Sequence, residues 1–190
     1  LRERLLARRS RFDAAARTLE EAFRAHGAAL PSAQSLRLRI DLGNALLSAG
    51  RVDDARRISD ALEREPLDAH PPALQIRALR LVLRVSRERP DARAAQRRAT
   101  ARLQDAAVRL YGPDSLEAAK AYEYRVGAID DPREQDILMA RAHAIQVARF
   151  DPASIDRAYA EYNMGTYQSS LRARIALAEP HFARAVEIGR

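Results

Sequence analysis

Ala178-Glu179-Pro180-His181-Phe182-Ala183-Arg184-Ala185-Val186-Glu187-Ile188 is the stretch whose reading decides how this chain folds. Its apolar residues recur at three- and four-residue steps, which places them on one face of an α-helix. Weaker copies of the same pattern recur upstream. Recurrence at long intervals is the mark of a repeat array, and such an array acts by offering a surface to a partner.

The composition agrees with helices throughout. Apolar residues make up 47% of 190, enough for a continuous core, while aromatics are only 5% and glycines number 7. Alanine is abundant and β-branched runs are almost absent, so the local preference is helical nearly everywhere. The absence of cysteine removes disulfides, thiolate zinc sites and cysteine nucleophiles. No apolar run approaches the roughly 18 residues of a membrane span, and no signal-peptide core follows Leu1-Arg2-Glu3-Arg4. The default expectation is a cytoplasmic domain without membrane contact. The opening at Leu1 reads as a cut helix, as in a piece of a longer protein.

Breaks come at regular intervals. Pro31-Ser32, Pro71-Pro72, Gly112-Pro113-Asp114 and Asp151-Pro152 interrupt the chain, and a helical pattern begins soon after each. The first apolar anchors beyond them, Leu36, Leu74, Leu116 and Ile155, are separated by 38, 42 and 39 residues. That period accommodates two helices and two turns. Within the units, Gly50 can close one helix in the left-handed conformation. Asp131-Pro132-Arg133-Glu134 supplies an N-cap, a first-turn proline and a returning carboxylate, and Pro90-Asp91 does the same in the third unit. Capping explains these acidic clusters better than metal or acid-base chemistry does.

The residues carry a resemblance to the tetratricopeptide repeat. In that family the second helix has a small residue, a large one four on and a small one three further, so that helices nest closely. Ala178, Phe182 and Ala185 match, as do Ala15, Leu19 and Ala22; Ala99, Leu103 and Ala106; and Ala140, Ala144 and Val147. A large-small pair marks the crossing in the first helix, and Leu42-Gly43, Val126-Gly127 and Met164-Gly165 fit. Glu123-Tyr124-Arg125-Val126-Gly127 also resembles Glu161-Tyr162-Asn163-Met164-Gly165. The Ala-Glu-Pro-x-Phe-x-Arg-Ala block and Leu110-Tyr111-Gly112-Pro113-Asp114-Ser115-Leu116 are similar to the longer repeats of the kinesin light chain type, also found in bacterial regulatory proteins. There the proline lies in the first turn of the second helix, where its missing N–H does no harm. Two departures stand out: the third unit has Leu79, Leu81, Val82 and Leu83 where a small residue is expected, and the second has Ser59 in place of a large one, with Ile58 and Leu62 nearby.

The resemblance implies an all-α, α-α superhelix over residues 1–190: a partial repeat at 1–30, then repeats at about 31–70, 71–111, 112–150 and 151–190. First helices would line a concave groove and second helices the convex back. No solvating helix follows the last repeat, so the expectations are a cut end or an exposed end that packs on another subunit.

Catalytic chemistry finds no support in the sequence. His26, His70, His143 and His181 read as isolated from one another, outside any HExxH-type spacing, and His143 and His181 fall on second helices as structural residues. There is no glycine-rich phosphate loop and no GxSxG elbow. The expectation is a non-enzymatic domain with no cofactor and no metal.

Matching the family's groove positions onto this chain selects Arg37 and Asn44, Tyr124 and Arg125, and Tyr162, Asn163 and Thr166. Asparagine can donate to and accept from a peptide backbone together, and tyrosine gives a flat contact with a polar tip. Tyr162, seven residues after Ile155, suits the core equally well. Arg77, Arg80 and Arg84 share one helical face; in the groove they would form a basic strip, on the outside they would be solvated charge. Arg93, Arg97 and Arg98 fit the convex side.

The net charge is +7, and every basic residue but Lys120 is arginine. GC-rich coding accounts for that bias, and so does an electropositive surface for acidic peptides or phosphates. The leading expectation is capture of a protein or peptide segment, acidic in character, as part of a bacterial signalling or transcriptional regulator. The alternatives are nucleic-acid binding, disfavoured by 26 interspersed acidic residues, and homo-oligomerisation through the repeat ends.

Overall fold

The computed structural model describes residues 2–27, 29–88 and 93–189, with side chains from Ser10 onward. Its α-helices are α1 (Arg2–His26), α2 (Ser32–Ala49), α3 (Val52–Arg64), α4 (Pro72–Arg87), α5 (Arg93–Tyr111), α6 (Leu116–Val126), α7 (Pro132–Arg149), α8 (Ile155–Thr166) and α9 (Ile175–Ile188). A short 3-10 turn at Leu67–Ala69 and a π turn at Tyr167–Leu171 join them, and no strand occurs among the described residues. The described residues pack as two compact units divided between Ala106 and Ala107. In the first, α2 packs on α1, α3 and α4, and α3 on α4; in the second, α6 packs on α7, α7 on α8 and α8 on α9. Consecutive helices packed in pairs give the all-α helical-repeat fold class expected from the sequence. No described helix is long and apolar enough to cross a membrane.

Local chemistry accounts for most helix ends. Gly50 sits at φ 79° beyond α2, and the N–H groups of Gly50 and Arg51 reach back to the carbonyls of Leu47 and Leu46, a C-cap that a side chain would strain. Gly112, at φ 87°, turns the chain toward Ser115, whose hydroxyl accepts the Ala118 N–H at 3.1 Å to open α6. Asp131 caps α7 by accepting the Arg133 N–H at 2.9 Å, with Pro132 first in the helix. Glu134 does not fold back on that cap; it pairs with Arg125 at 3.0 Å instead. The expected start at Pro90-Asp91 lies outside the described residues.

One expectation about α9 is corrected. The helix begins at Ile175, so Pro180 is its sixth residue and lies inside it rather than in the first turn. The hydrogen bond it cannot donate would have gone to Ala176, an exposed residue whose carbonyl water can reach.

Close approach between different helices falls at two glycines. A methyl on Gly43 in α2 would sit 2.5 Å from Leu81 Cδ2 of α4, and one on Gly165 in α8 would sit 2.8 Å from the Phe182 ring of α9. The bulky stretch of α4 therefore compensates for its missing small residue, because Leu81 occupies the space that Gly43 leaves. Leu79, Leu81, Val82 and Leu83 are all buried. In the repeat at about 31–70 Ser59 is buried beside Leu62, the substitute large residue.

The other matches divide. Ala99, Leu103 and Ala106 are all buried, and Ala178 is buried with Phe182 and Ala185 partly so. Ala15 is exposed while Ala16 is buried. In α7 the expected face is wrong: Ala140 and Ala144 are exposed, and Leu138, Met139, Ala142, Ile145 and Gln146 are buried instead. Gly127 is likewise no crossing point but the exposed C-cap of α6. The cause is size. Phe182 puts a ring against Gly165, whereas Ala144, its counterpart one repeat earlier, has none to seat on Gly127.

These contacts predict opposite outcomes at two glycines. Gly43→Val should lower the unfolding free energy by about 1–3 kcal/mol through overpacking against Leu81, with partial recovery in the Gly43→Val/Leu81→Ala double variant. Gly127→Ala, with nothing nearer than 3.9 Å, should stay within about 0.5 kcal/mol of the parent. Urea titrations of the variants measure both.

Candidate functional site

The expected groove residues of the first unit meet along the seam of α2 and α4. Arg77 of α4 pairs with Asp41 of α2, and Arg84 donates to Asn44 Oδ1. Asn44 in turn donates to the Ile40 carbonyl at 2.9 Å, while Arg37 lies 3.9 Å from Asp41 and is largely exposed. Arg80 is half-buried, its Nε enclosed without a hydrogen-bond partner. Arg77 and Arg84 thus turn toward the neighbouring first helix, where Asp41 offsets part of their charge. The seam is polar and mixed in sign.

In the second unit α6 and the α8 end border an open groove of about 320 Å³. Tyr124, Asn163 and Thr166 line it together with Glu123, Met139 and Tyr167. Asn163 donates to Glu123 Oε1 at 3.1 Å, across 40 residues of sequence. The Arg84–Asn44 bond spans the same 40 residues. Bonds of the same sequence span thus join successive first helices in each unit.

Two expected residues lie elsewhere. Arg125 points to α7 and pairs with Glu134, an ion pair between the helices of one hairpin. Tyr162 is 53% exposed, so it is neither core nor groove: its ring lies 5.9 Å from that of Phe182. With Ile155, Ala158, Tyr159, Ala185 and Val186 it lines a shallow apolar depression of about 410 Å³ on α8 and α9. Arg93, Arg97 and Arg98 are exposed.

Beside the groove a polar latch holds the π turn. Asp136 accepts from the Tyr167 hydroxyl at 2.6 Å and from Arg172 Nε at 3.0 Å, and Arg172 also donates to the Pro132 carbonyl. The Tyr167 hydrogen bond and the Arg172 guanidinium hold the Asp136 carboxyl below its ordinary range. Burial, with Asp136 alongside, pushes the Tyr167 phenol up, so its hydroxyl keeps the proton it donates. The sequence carried no signal for this latch, because its members belong to no repeat position.

The histidines are not all isolated. His143 and His181 converge on Glu161, a fully buried carboxylate of α8 that also accepts from Arg157 at 3.2 Å. His70 is buried beside Glu65, 3.1 Å away, and His26 is exposed. One signal was present: His143 and His181 stand 38 residues apart, one repeat period, hence at equivalent positions of successive second helices.

No protein-family model matches the chain, and no curated protein matches it.

Because the Tyr167 hydroxyl and the Arg172 guanidinium hold the Asp136 carboxyl below its ordinary value, the latch contributes stability that is complete above the unfolded-state value. That contribution disappears as pH falls through the lower folded value. Thermal melts across an acid pH series should therefore show a loss of midpoint that Asp136→Asn makes shallower in the same window. Parallel curves for the two proteins would refute this role.

Proposed function

We propose that the chain is a non-enzymatic, tetratricopeptide-type interaction domain that binds an extended or helical segment of a protein partner along its first helices. The observation that carries this reading is the α6–α8 groove, where Tyr124, Asn163 and Thr166 converge on one open, largely apolar channel with polar groups at its edge. Such a lining suits a peptide: an aromatic face and Met139 for side chains, an amide and a hydroxyl for backbone groups. Arg37 gives the α2–α4 seam of the first unit a modest preference of its own for acidic segments. A cytoplasmic effector or scaffold role in a bacterial signalling or transcriptional regulator follows from the family resemblance alone.

Screening an acidic peptide library by fluorescence anisotropy tests the reading. Binders should appear, and Asn163→Ala or Tyr124→Ala should each weaken them by about 1 kcal/mol or more, roughly fivefold. The assignment fails if nothing binds or if both variants bind as the parent does. Nucleic-acid binding is the weaker alternative, since Arg77, Arg125 and Arg157 engage acidic side chains; its signature would be a steep salt dependence in gel shifts.

A second reading, self-association, is favoured by the depression on α8 and α9. Ile155, Tyr159 and Val186 are each more than half exposed, and its lining includes no charged side chain. An uncharged apolar face can match a second copy of itself across a two-fold axis. Light scattering over a dilution series should then show a dimer that Tyr159→Glu dissociates; a monomer at every concentration removes this reading.

A further inference from the structure

Three helices deliver metal-ligating groups to one point of the second unit. His143 Nε2 of α7 lies 3.2 Å, and His181 Nδ1 of α9 lies 2.7 Å, from the same oxygen, Glu161 Oε2 of α8. Donor atoms of the three residues all fall within 4.8 Å of one another. A tetrahedral zinc ion with bonds of about 2.0–2.1 Å requires donors roughly 3.3 Å apart. The 3.2 Å edge already has that length, the 2.7 Å edge must open by roughly 0.6 Å, and the edge between the imidazoles, no longer than 4.8 Å, closes by rotation of two rings that now stand edge to face.

The surroundings suit a bound ion. Glu161 is fully buried, while the side chains of His143 and His181 keep 15% and 21% of their exposure. Protein therefore encloses the carboxylate side and solvent reaches the imidazole side, the arrangement of three protein ligands with a fourth position open. Arg157 grips the other oxygen, Oε1, at 3.2 Å and donates to the Val147 carbonyl at 2.8 Å, an outer contact that fixes the carboxylate's orientation. Its charge opposes a cation, which sets the affinity below that of a site with a neutral outer shell.

We propose that His143, Glu161 and His181 form a binding site for zinc or a similar divalent transition-metal ion, with solvent as the fourth ligand. Binding requires a ring-nitrogen lone pair where each imidazole can otherwise donate a proton to Oε2. A neutral imidazole meets this by moving its proton to the other ring nitrogen, and a charged one releases a proton to solvent. The ion would tie α7, α8 and α9 together.

Zinc titration of the chelator-treated full chain by calorimetry, with cobalt(II) absorption in parallel, tests the proposal. The expected result is one ion per chain, a tetrahedral cobalt spectrum and a raised thermal midpoint. His143→Ala and His181→Ala should each weaken binding by at least the roughly tenfold that loss of even an outer-shell partner costs. His26→Ala, at an exposed position, should bind as the parent does. Circular dichroism checks that each variant is folded. If removing His143 unfolds the chain, partly exposed His181 decides. Absence of stoichiometric zinc uptake, a cobalt spectrum like that of the aqueous ion, or undiminished binding in folded His181→Ala would each overturn the proposal.

Discussion

Helices can pack as tightly as these only where one of them has no side chain at the crossing. Gly43 admits Leu81, and Gly165 admits the Phe182 ring, each closer than a Cβ would allow. Between them these two contacts fix α2 against α4 and α8 against α9, and so set which faces of the first helices stay open. The rest follows from geometry: with Leu81 seated, Arg77 and Arg84 can only lie along the α2–α4 seam. With Phe182 seated, Glu161 is carried inward between two histidines.

How far the sequence was legible depends on whether a residue acts within its own repeat. Helix boundaries marked by Gly50, Gly112 and Asp131 were readable because a cap is local chemistry. The triplet Ala99, Leu103, Ala106 was readable too, since each is buried as the repeat pattern requires. The pattern failed in α7, where alanine at 144 cannot do what phenylalanine does at 182, and a match by residue class concealed a difference in volume. It also failed for Tyr162 and Arg125. Helical spacing gives the face on which a side chain starts, but not the neighbour to which a long side chain reaches. The Asp136 latch and the Glu161 cluster depend on contacts across 18 to 40 residues, which periodicity alone does not reveal.

Glu161 is the least expected member of the core. A carboxylate with no exposure would be costly unless fully hydrogen-bonded, and here three donors surround it, Arg157, His143 and His181. Burial pushes its pKa up, yet the hydrogen bonds outweigh that and hold it below the ordinary value. Its counterpart Glu123 lies at the groove edge and accepts from Asn163 instead. The same motif position thus serves the interior of one helix pair and the surface of another.

A net charge of +7 suggests a surface waiting for an anion, but several of the arginines are occupied in joining elements. Arg51 ties the start of α3 to Glu20 of α1, and Arg39 ties α2 to Glu65 beyond α3. Arg102 of α5 donates to the Glu63 carbonyl, and Arg172 reaches Asp136. The guanidinium suits this work because its planar fork holds two acceptors at once, as Arg51 does with Glu20 and Asp54. Exposed pairs of this kind contribute little each, but the Arg39–Glu65 pair is largely shielded from water and is screened less by salt. An arginine engaged in this way is a poor donor to a passing ligand, since it must first give up a partner already held. On the proposed reading, recognition would rest less on total charge than on the few polar groups, Asn163 and Thr166 among them, that the packing leaves at the mouth of a groove.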